Sequence, residues 1–203
     1  MAITGLSIPV FGKYAASQGS ISYSEGKTMG HAISYSIDPT FSDNNYLWGD
    51  NKKIESDDGI FTSGTLTLNT SEFTYSLSKW ILNITETTYT YTPTGASTAV
   101  SVKEQHFNDS VVPIYCGFGI IEQHIIDGTT YYIPIILPKV KIVIPSDAAT
   151  TRGETIDWQT KELTFEIERD DSSTQDWKVL AEPQSTENDA FAYLCAKLGV
   201  SSS

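Results

Sequence analysis

The sequence contains two short runs, Ile33-Ser34-Tyr35-Ser36-Ile37 and Thr65-Leu66-Thr67-Leu68, in which apolar and polar side chains alternate. A period of two is typical of β-strands that bury one face and expose the other. Strands of this kind are usually joined by a few residues, whereas residues 38–64 separate these two. We therefore expect two strands of one sheet with a long arm between them.

The arm at residues 38–64 combines acidic residues with large apolar ones. It carries six Asp and Glu residues together with Ile60 and several aromatic side chains, which is more apolar surface than a solvated linker needs. One interpretation is that the arm is a disordered surface loop. The other is an arm that becomes ordered against another subunit, because aromatic side chains anchor interfaces. Under the second interpretation the contact residues are Tyr46, Leu47, Trp48, Asp50 and Phe61.

A second strong signal is Asp127-Gly128, which joins two long apolar runs at residues 111–126 and 129–144. Asp-Gly between such runs is a preferred sequence for a two-residue hairpin turn. Pro134 and Pro138 interrupt the second run. Because proline cannot donate to a strand ladder, these positions are expected at a sheet edge, at a bulge or at a break between two sheets.

Further alternating segments indicate that much of the chain is antiparallel sheet. Residues 163–168 have one apolar and one charged face. Residues 20–24 and 28–38 are predicted to form a hairpin that turns at residues 25–27. The other strand-like segments are residues 87–92, 99–104 and 176–182.

Two segments change to the helical period of about 3.6 residues. In the first, apolar residues from position 73 to 84 form one stripe, with Asn69 as the expected N-cap. The second covers residues 186–199, with Thr186 as N-cap and Gly199 as C-cap. We therefore predict a mainly β (α+β) fold: an antiparallel β-sandwich or partial barrel with a mid-chain flanking helix and a C-terminal helix.

Bulk properties narrow the possible functions. The 203 residues show no abrupt shift in composition, so a single domain is predicted. A formal net charge of −12 with only 13 Lys and Arg residues argues against a protein that wraps nucleic acid, since affinity for phosphates comes largely from basic side chains. The same charge suits a surface past which DNA moves without binding, or it serves only solubility. The sequence predicts neither a secretion signal nor a membrane span.

Reactive residues are not spaced as in an enzyme or a metal site. The three histidines are scattered, and Cys116 and Cys195 are expected to be reduced thiols, with a single disulfide as the alternative. Glu122 and His124 alternate on a predicted strand, so they are either a cation site or an ordinary pair facing solvent or a groove. The sequence lacks a nucleophile elbow, a phosphate-binding loop and a zinc-binding helix motif. We therefore expect no catalytic activity, no cofactor and no metal.

Several short motifs, in order along the chain, match those of a known family. They are Gly5-Leu6-Ser7-Ile8-Pro9, the arm from Tyr46 to Phe61 leading into Gly64-Thr65-Leu66-Thr67-Leu68, Gly117-Phe118-Gly119, Leu137-Pro138-Lys139-Val140, Arg152-Gly153-Glu154-Thr155-Ile156-Asp157-Trp158-Gln159-Thr160, and Arg169-Asp170-Asp171 before Trp177. This ordered set resembles the major tail proteins, or tail tube proteins, of long-tailed, non-contractile bacteriophages. The chain departs from the family pattern at residues 87–102.

The resemblance implies a structural subunit of the virion tail, assembled in the host cytoplasm. Such subunits form hexameric rings that stack into a hollow tube, through which the genome is ejected without specific DNA binding. Strands from six copies line the lumen, and a long loop reaches the neighbouring ring. The implied partners are further copies of the chain and the tape-measure, tail-tip and tail-terminator proteins, with no membrane partner.

If the chain is such a subunit, polar positions on the strands beside the arm and on the Asp127-Gly128 hairpin are candidates to face the lumen. Two other functions stay open: a carbohydrate-binding β-sandwich, since Tyr and Trp on an acidic scaffold suit stacking on sugars, and a glycoside hydrolase, for which no carboxylate pair stands out. The lumen-facing candidates are Ser34, Ser36, Thr65, Thr67, Glu122 and His124.

Overall fold

A computed structural model describes residues 2–147, 149, 151 and 160–201. The elements are β1 (Ala2–Ser17), β2 (Ser20–Thr28), β3 (Ala32–Phe41), β4 (Asn45–Gly49), β5 (Lys52–Asp57), β6 (Phe61–Thr70), α1 (Tyr75–Leu82), β7 (Glu86–Tyr91), β8 (Val100–Gln105), β9 (Tyr115–Ile126), β10 (Thr129–Ile142), β11 (Lys161–Glu168), β12 (Val179–Leu180) and α2 (Glu187–Leu198). Among the described residues, eight strands form one antiparallel sheet in the order β2-β1-β9-β10-β11-β6-β3, with β12 paired to β10. Two separate hairpins are formed by β4 with β5 and by β7 with β8.

The main sheet rolls into a partial barrel around one apolar core. Phe11 on β1 packs against Phe118 on β9 and Phe165 on β11, with ring centroids 5.2 and 5.4 Å apart. The same core includes Leu66 of β6 and half-buried Ile37 of β3, so both halves of the sheet contribute to it. The predicted mainly β fold with an antiparallel sheet and flanking helices is confirmed.

The β9–β10 hairpin forms as predicted. Its turn residues Asp127 and Gly128 have φ angles of 49° and 79°, the left-handed region that a type I′ turn requires. Pro138 lies where the register between β9 and β10 shifts, between Leu137 and Val140, which is the bulge position that tolerates proline.

The predicted hairpin between residues 20–24 and 28–38 is wrong. β2 pairs with β1 through a turn at Gln18 and Gly19, and it continues to Thr28 across the predicted turn. Gly26 serves close packing instead, because its amide donates to the carbonyl of Gly199 and an added Cβ would lie 2.5 Å from the amide nitrogen of Val200.

Of the three predicted helix caps, the two at α2 are correct and the one at α1 is wrong. α2 has Thr186 as N-cap and Gly199 as C-cap in the left-handed conformation, and it buries Ala190, Leu194 and Leu198 against the outer side of the sheet. In contrast, α1 begins after Thr74, whose hydroxyl accepts from the amide of Leu77. The predicted cap Asn69 belongs to β6, because pairing with β3 and β11 extends that strand to Thr70.

The region between β3 and β6 is an ordered hairpin and not an uninterrupted loop. β3 continues to Phe41 and β6 begins at Phe61, so the arm that leaves the main sheet is residues 42–60. β4 and β5 pair with each other in a sheet of their own. Of the family-like motifs, residues 152–159 lie outside the described residues.

Candidate assembly surface

The β4–β5 hairpin has large apolar side chains exposed at its end. Its turn residues, Asp50 and Asn51, both have positive φ angles, 50° and 62°, which match the twist of a two-residue hairpin. Trp48 is 64% exposed, and so is Ile54. Tyr46 and Leu47 are also exposed. The hairpin therefore fixes the backbone of the predicted contact residues but leaves their side chains uncovered within the described chain.

The apolar residues occupy both faces of this hairpin. The ammonium group of Lys53 lies 3.8 Å from the ring centroid of Tyr46, so Lys53 and Tyr46 share one face with Trp48, the cross-strand neighbour of Lys53. On the other face, the side chain of Ile54 covers Gly49. A hairpin that packs on one flat surface needs apolar side chains on one side only. Apolar surface on both sides is better suited to a hairpin that is surrounded by partners.

Phe61 was predicted as an arm contact, and this prediction is wrong. Its side chain is 6% exposed and stacks on Trp177, with centroids 4.7 Å apart and planes 4° apart. Phe41 meets both rings edge-on, and Arg169 donates a hydrogen bond to the Phe61 carbonyl. Phe61 therefore anchors the base of the arm in the core, because β6 begins at this residue.

The outer face of strands β3, β6 and β11 is polar and acidic. Ser36 lies opposite Thr67, and Thr67 lies opposite Thr164, while the alternate residues Leu66, Leu68, Phe165 and Ile167 point into the core. Four predicted residues share this face: Ser34, Ser36, Thr65 and Thr67. Sequence reasoning missed Asp38, Asn69, Glu162 and Glu166, which the register adds to it. The alternation at residues 163–168 marks Glu166 as outward, and Glu162 continues the same alternation, but only the strand order shows that both adjoin β6.

Glu122 and His124 do share a face, as predicted, but it is the inner one. Their side chains lie 2.7 Å apart, and Glu122 accepts a hydrogen bond from the Tyr35 hydroxyl, which reaches across from β3. His124 is 7% exposed, and none of the described residues forms a hydrogen bond with its Nδ1. Their assignment as lumen-facing residues is therefore wrong, because α2 covers the outer side of β9 and this pair points into the partial barrel.

Burial and hydrogen bonding change the ionisation of Tyr35 and Cys116. The pKa of Tyr35 is raised, first by loss of solvent and second by its hydrogen bond to the Glu122 carboxylate. Burial likewise raises the pKa of the Cys116 thiol, which disfavours the reactive thiolate. Cys116 and Cys195 are both free thiols, as predicted.

Within the described residues, the main sheet has unpaired strand edges. β2 and β3 are its terminal strands there, and residues 2–7 of β1 extend past β2, so β9 is their one described partner. A cleft of about 490 Å³ separates this part of β1 from β3. Ile33 is 51% exposed at the β3 edge because a register shift between Ala32 and Ser34 turns it away from the core, contrary to the alternation in the sequence.

A second hairpin, β7–β8, also projects an apolar surface that sequence reasoning did not single out. Tyr89 and Tyr91 stack with centroids 6.3 Å apart, and they lie opposite Val102 and Val100. All four side chains are exposed. The alternation of Thr and Tyr at residues 87–92 is the signal that predicts a common face for the two tyrosines.

Within residues 2–147, 149, 151 and 160–201, no three His, Cys, Asp or Glu side chains are grouped so that they could hold a metal ion. Over the same part of the chain, every helix is too short or too polar to cross a membrane.

Compared with known proteins, the chain matches no family model and shows no significant sequence similarity to a curated protein.

Proposed function

We propose that this protein is a self-assembling structural subunit of a bacteriophage tail tube. Copies form rings, the rings stack, and the stacked rings form the conduit through which the genome leaves the virion. The observation that carries the proposal is the β4–β5 hairpin, an ordered extension whose Trp48, Tyr46 and Leu47 are exposed in the isolated subunit. The ordered resemblance to tail tube proteins supports the same function.

Stacking of rings follows from burial of the hairpin side chains. Fully burying a large apolar side chain contributes about 1.5–3 kcal/mol before the cost of association. Tyr46, Leu47 and Trp48 together therefore supply a modest contact for one pair of subunits. A ring of several copies makes that contact several times at once, and linked contacts increase the overall affinity far beyond that of one contact.

Ring formation uses the open margins of the main sheet. An unpaired strand presents free amide and carbonyl groups, and pairing with another strand removes this exposed edge. In the part of the chain that the structure describes, β3 is open at one margin, while β2 and residues 2–7 of β1 are open at the other. Joining the first margin of one copy to the second margin of the next is a head-to-tail contact, which closes into a ring when the rotation allows it. Six-fold symmetry comes from the resemblance.

The outer face of β3, β6 and β11 is suited to line the lumen. Its charged members Asp38, Glu162 and Glu166 are acidic and exposed. Negative charge repels DNA phosphates, and the hydroxyls of Ser36 and Thr65 carry no positive charge that would hold a phosphate. The cation Lys141 on the adjoining strand β10 lies opposite Glu166, whose charge offsets it. DNA therefore passes without specific binding.

The resemblance also supplies the remaining partners and the location. Tape-measure, tail-tip and tail-terminator proteins would meet the ends of the tube, and the subunit would be assembled in the host cytoplasm into the virion tail. The acidic charge of the chain, −12, keeps unassembled subunits soluble until stacking begins.

Negative-stain electron microscopy of the purified protein tests the proposal. We expect rings or tubes as the protein concentration rises, with a constant diameter. A protein that stays monomeric at every concentration and salt level contradicts it. If such a monomer also binds sugars on a glycan array, the alternative of a carbohydrate-binding module replaces the tail tube.

A further inference from the structure

The β7–β8 hairpin has one apolar and one polar face. Its register pairs Tyr89 with Val102 and Tyr91 with Val100, which places these four side chains on the same side. The opposite side carries polar residues only, among them Thr90 and Ser101, whose hydroxyl groups lie 2.9 Å apart. Tyr89 is 57% exposed, although Tyr91, Val100 and Val102 on the same face are apolar. This apolar face is therefore unpaired within the described subunit.

The base of the hairpin is held firmly against α1. Glu86 forms ion pairs with Lys79 of α1 and, at 3.2 Å, with Lys103 of β8. The Gln105 side chain donates a hydrogen bond of 2.7 Å to the Tyr75 carbonyl, and it accepts from the Ser78 hydroxyl. These contacts orient the hairpin, so its apolar face is presented in a defined direction and loses little entropy on binding.

The β4–β5 and β7–β8 hairpins are connected to opposite ends of β6. β5 leads into the start of β6 at Phe61, whereas α1 and then β7 follow the end of β6 at Thr70. In the described part of the chain the two hairpins form separate sheets, and neither pairs with the other or with the main sheet. Two different projecting surfaces of one subunit can contact each other between copies that stack in the same direction.

We propose that the apolar face of the β7–β8 hairpin binds the β4–β5 hairpin of another copy in the next ring. The aromatic face formed by Tyr46 and Trp48 would pack on Tyr89 and Tyr91. The contact is heterologous, since it joins two different surfaces, and a heterologous contact that does not close propagates along an axis. This inference rests on the proposed function and names the surface that receives the arm.

Charge favours this pairing of faces. Lys53 lies over the ring of Tyr46 on the arm, and Glu104 flanks Val102 on the receiving face through the register of β7 with β8. Both side chains are at the surface. Bringing the two aromatic faces together places a cation on one hairpin near an anion on the other, which fixes the orientation of the contact. A pair of identical β7–β8 faces would instead bring two Glu104 side chains together.

Cross-linking between two differently labelled populations tests the pairing. One population carries Lys53→Cys and the other Glu104→Cys, both in a Cys195→Ser background that leaves only buried Cys116 as a native thiol. The populations are mixed during assembly and treated with a short bis-maleimide. We expect mixed dimers that join the two populations. The matched control replaces Glu104→Cys by Ser101→Cys, which lies on the polar face of the same strand, and we expect severalfold less mixed product.

A charge exchange gives a second readout. Lys53→Glu and Glu104→Lys should each raise the protein concentration needed for tubes, and the double variant should restore it. If tubes form but the mixed product is no greater than in the Ser101→Cys control, or if Glu104→Cys copies link only to each other, the pairing is wrong and the proposed function still stands. If no assembly occurs at all, the proposed function fails and the pairing fails with it.

Discussion

Phe61 and Trp177 lie face to face at the base of the β4–β5 hairpin, with ring centroids 4.7 Å apart and planes 4° apart. Phe61 is the first residue of β6 and is almost fully buried, whereas Ile60, the preceding residue, is exposed. The boundary between the core and the arm therefore falls between two consecutive apolar residues.

We predict that Phe61→Ala lowers the free energy of unfolding by about 3–5 kcal/mol, because it removes a stacked aromatic side chain and leaves a cavity. Ile60→Ala is the matched control, and it should change stability by less than about 0.5 kcal/mol. Urea denaturation followed by tryptophan fluorescence measures both. Equal losses in the two variants would place the boundary elsewhere.

The edge of β3 gives a prediction about rings. Ile33→Lys adds a charge to an exposed position on an unpaired edge, and lysine at such an edge opposes pairing with another strand. We expect fewer closed rings by electron microscopy, with an unchanged melting temperature of the subunit. Val112→Lys adds the same charge to an exposed position outside the main sheet and should leave ring formation intact. Normal rings from Ile33→Lys would show that β3 is not a ring contact.

The acidic outer face of β6 and β11 gives a prediction about DNA. Glu162→Lys combined with Glu166→Lys changes the proposed lumen from negative to positive. We expect assembled tubes of this variant to retain a short fluorescent DNA duplex and to release it as salt is raised, because each phosphate contact displaces counterions. Wild-type tubes should retain none. If Glu182→Lys retains as much DNA as the double variant, the effect is one of net charge and not of this face.

Three tyrosines give a prediction about pH. Burial, with a hydrogen bond to Asp171, raises the pKa of Tyr14 to about 12, and burial raises the pKa of Tyr23 and Tyr35 as well. The folded state therefore keeps protons that the unfolded state loses near the ordinary pKa of 10. Their contribution to stability is complete below pH 10 and is lost as the pH rises through the folded-state pKa.

An absorbance titration of tyrosinate checks this. We expect Tyr14, Tyr23 and Tyr35 to form a late group that ionises only when the protein unfolds. Tyr35→Phe should remove one member of the late group. Ionisation of every tyrosine near pH 10 in the folded protein would contradict the prediction.

The features that the sequence predicted correctly depend on local geometry. Asp127 and Gly128 adopt the positive φ angles of a hairpin turn, which these residue types favour, and Thr186 and Gly199 cap α2 through contacts within a few residues. The alternation at residues 163–168 likewise identified the inner and outer faces of β11.

The features that it missed depend on partners distant in the chain. Gly26 suggests a turn, but its absent side chain admits the end of α2. Asn69 resembles a helix cap, but pairing on both sides keeps it in a strand. His124 alternates as an exposed residue would, yet a helix from the far end of the chain covers the other side of β9. No pattern in one sequence specifies which face of a strand receives such a cover.

Sedimentation velocity of the wild-type protein beside Trp48→Ala, over a range of concentrations, tests whether exposed hairpin residues drive assembly. We predict that the wild-type protein moves from monomer to large species as concentration rises, and that Trp48→Ala stays smaller while unfolding cooperatively at the same temperature. A matched control, Phe107→Ala, removes an equally exposed aromatic side chain outside both hairpins and should behave as wild type. A wild-type protein that sediments as a monomer at every concentration would contradict the account.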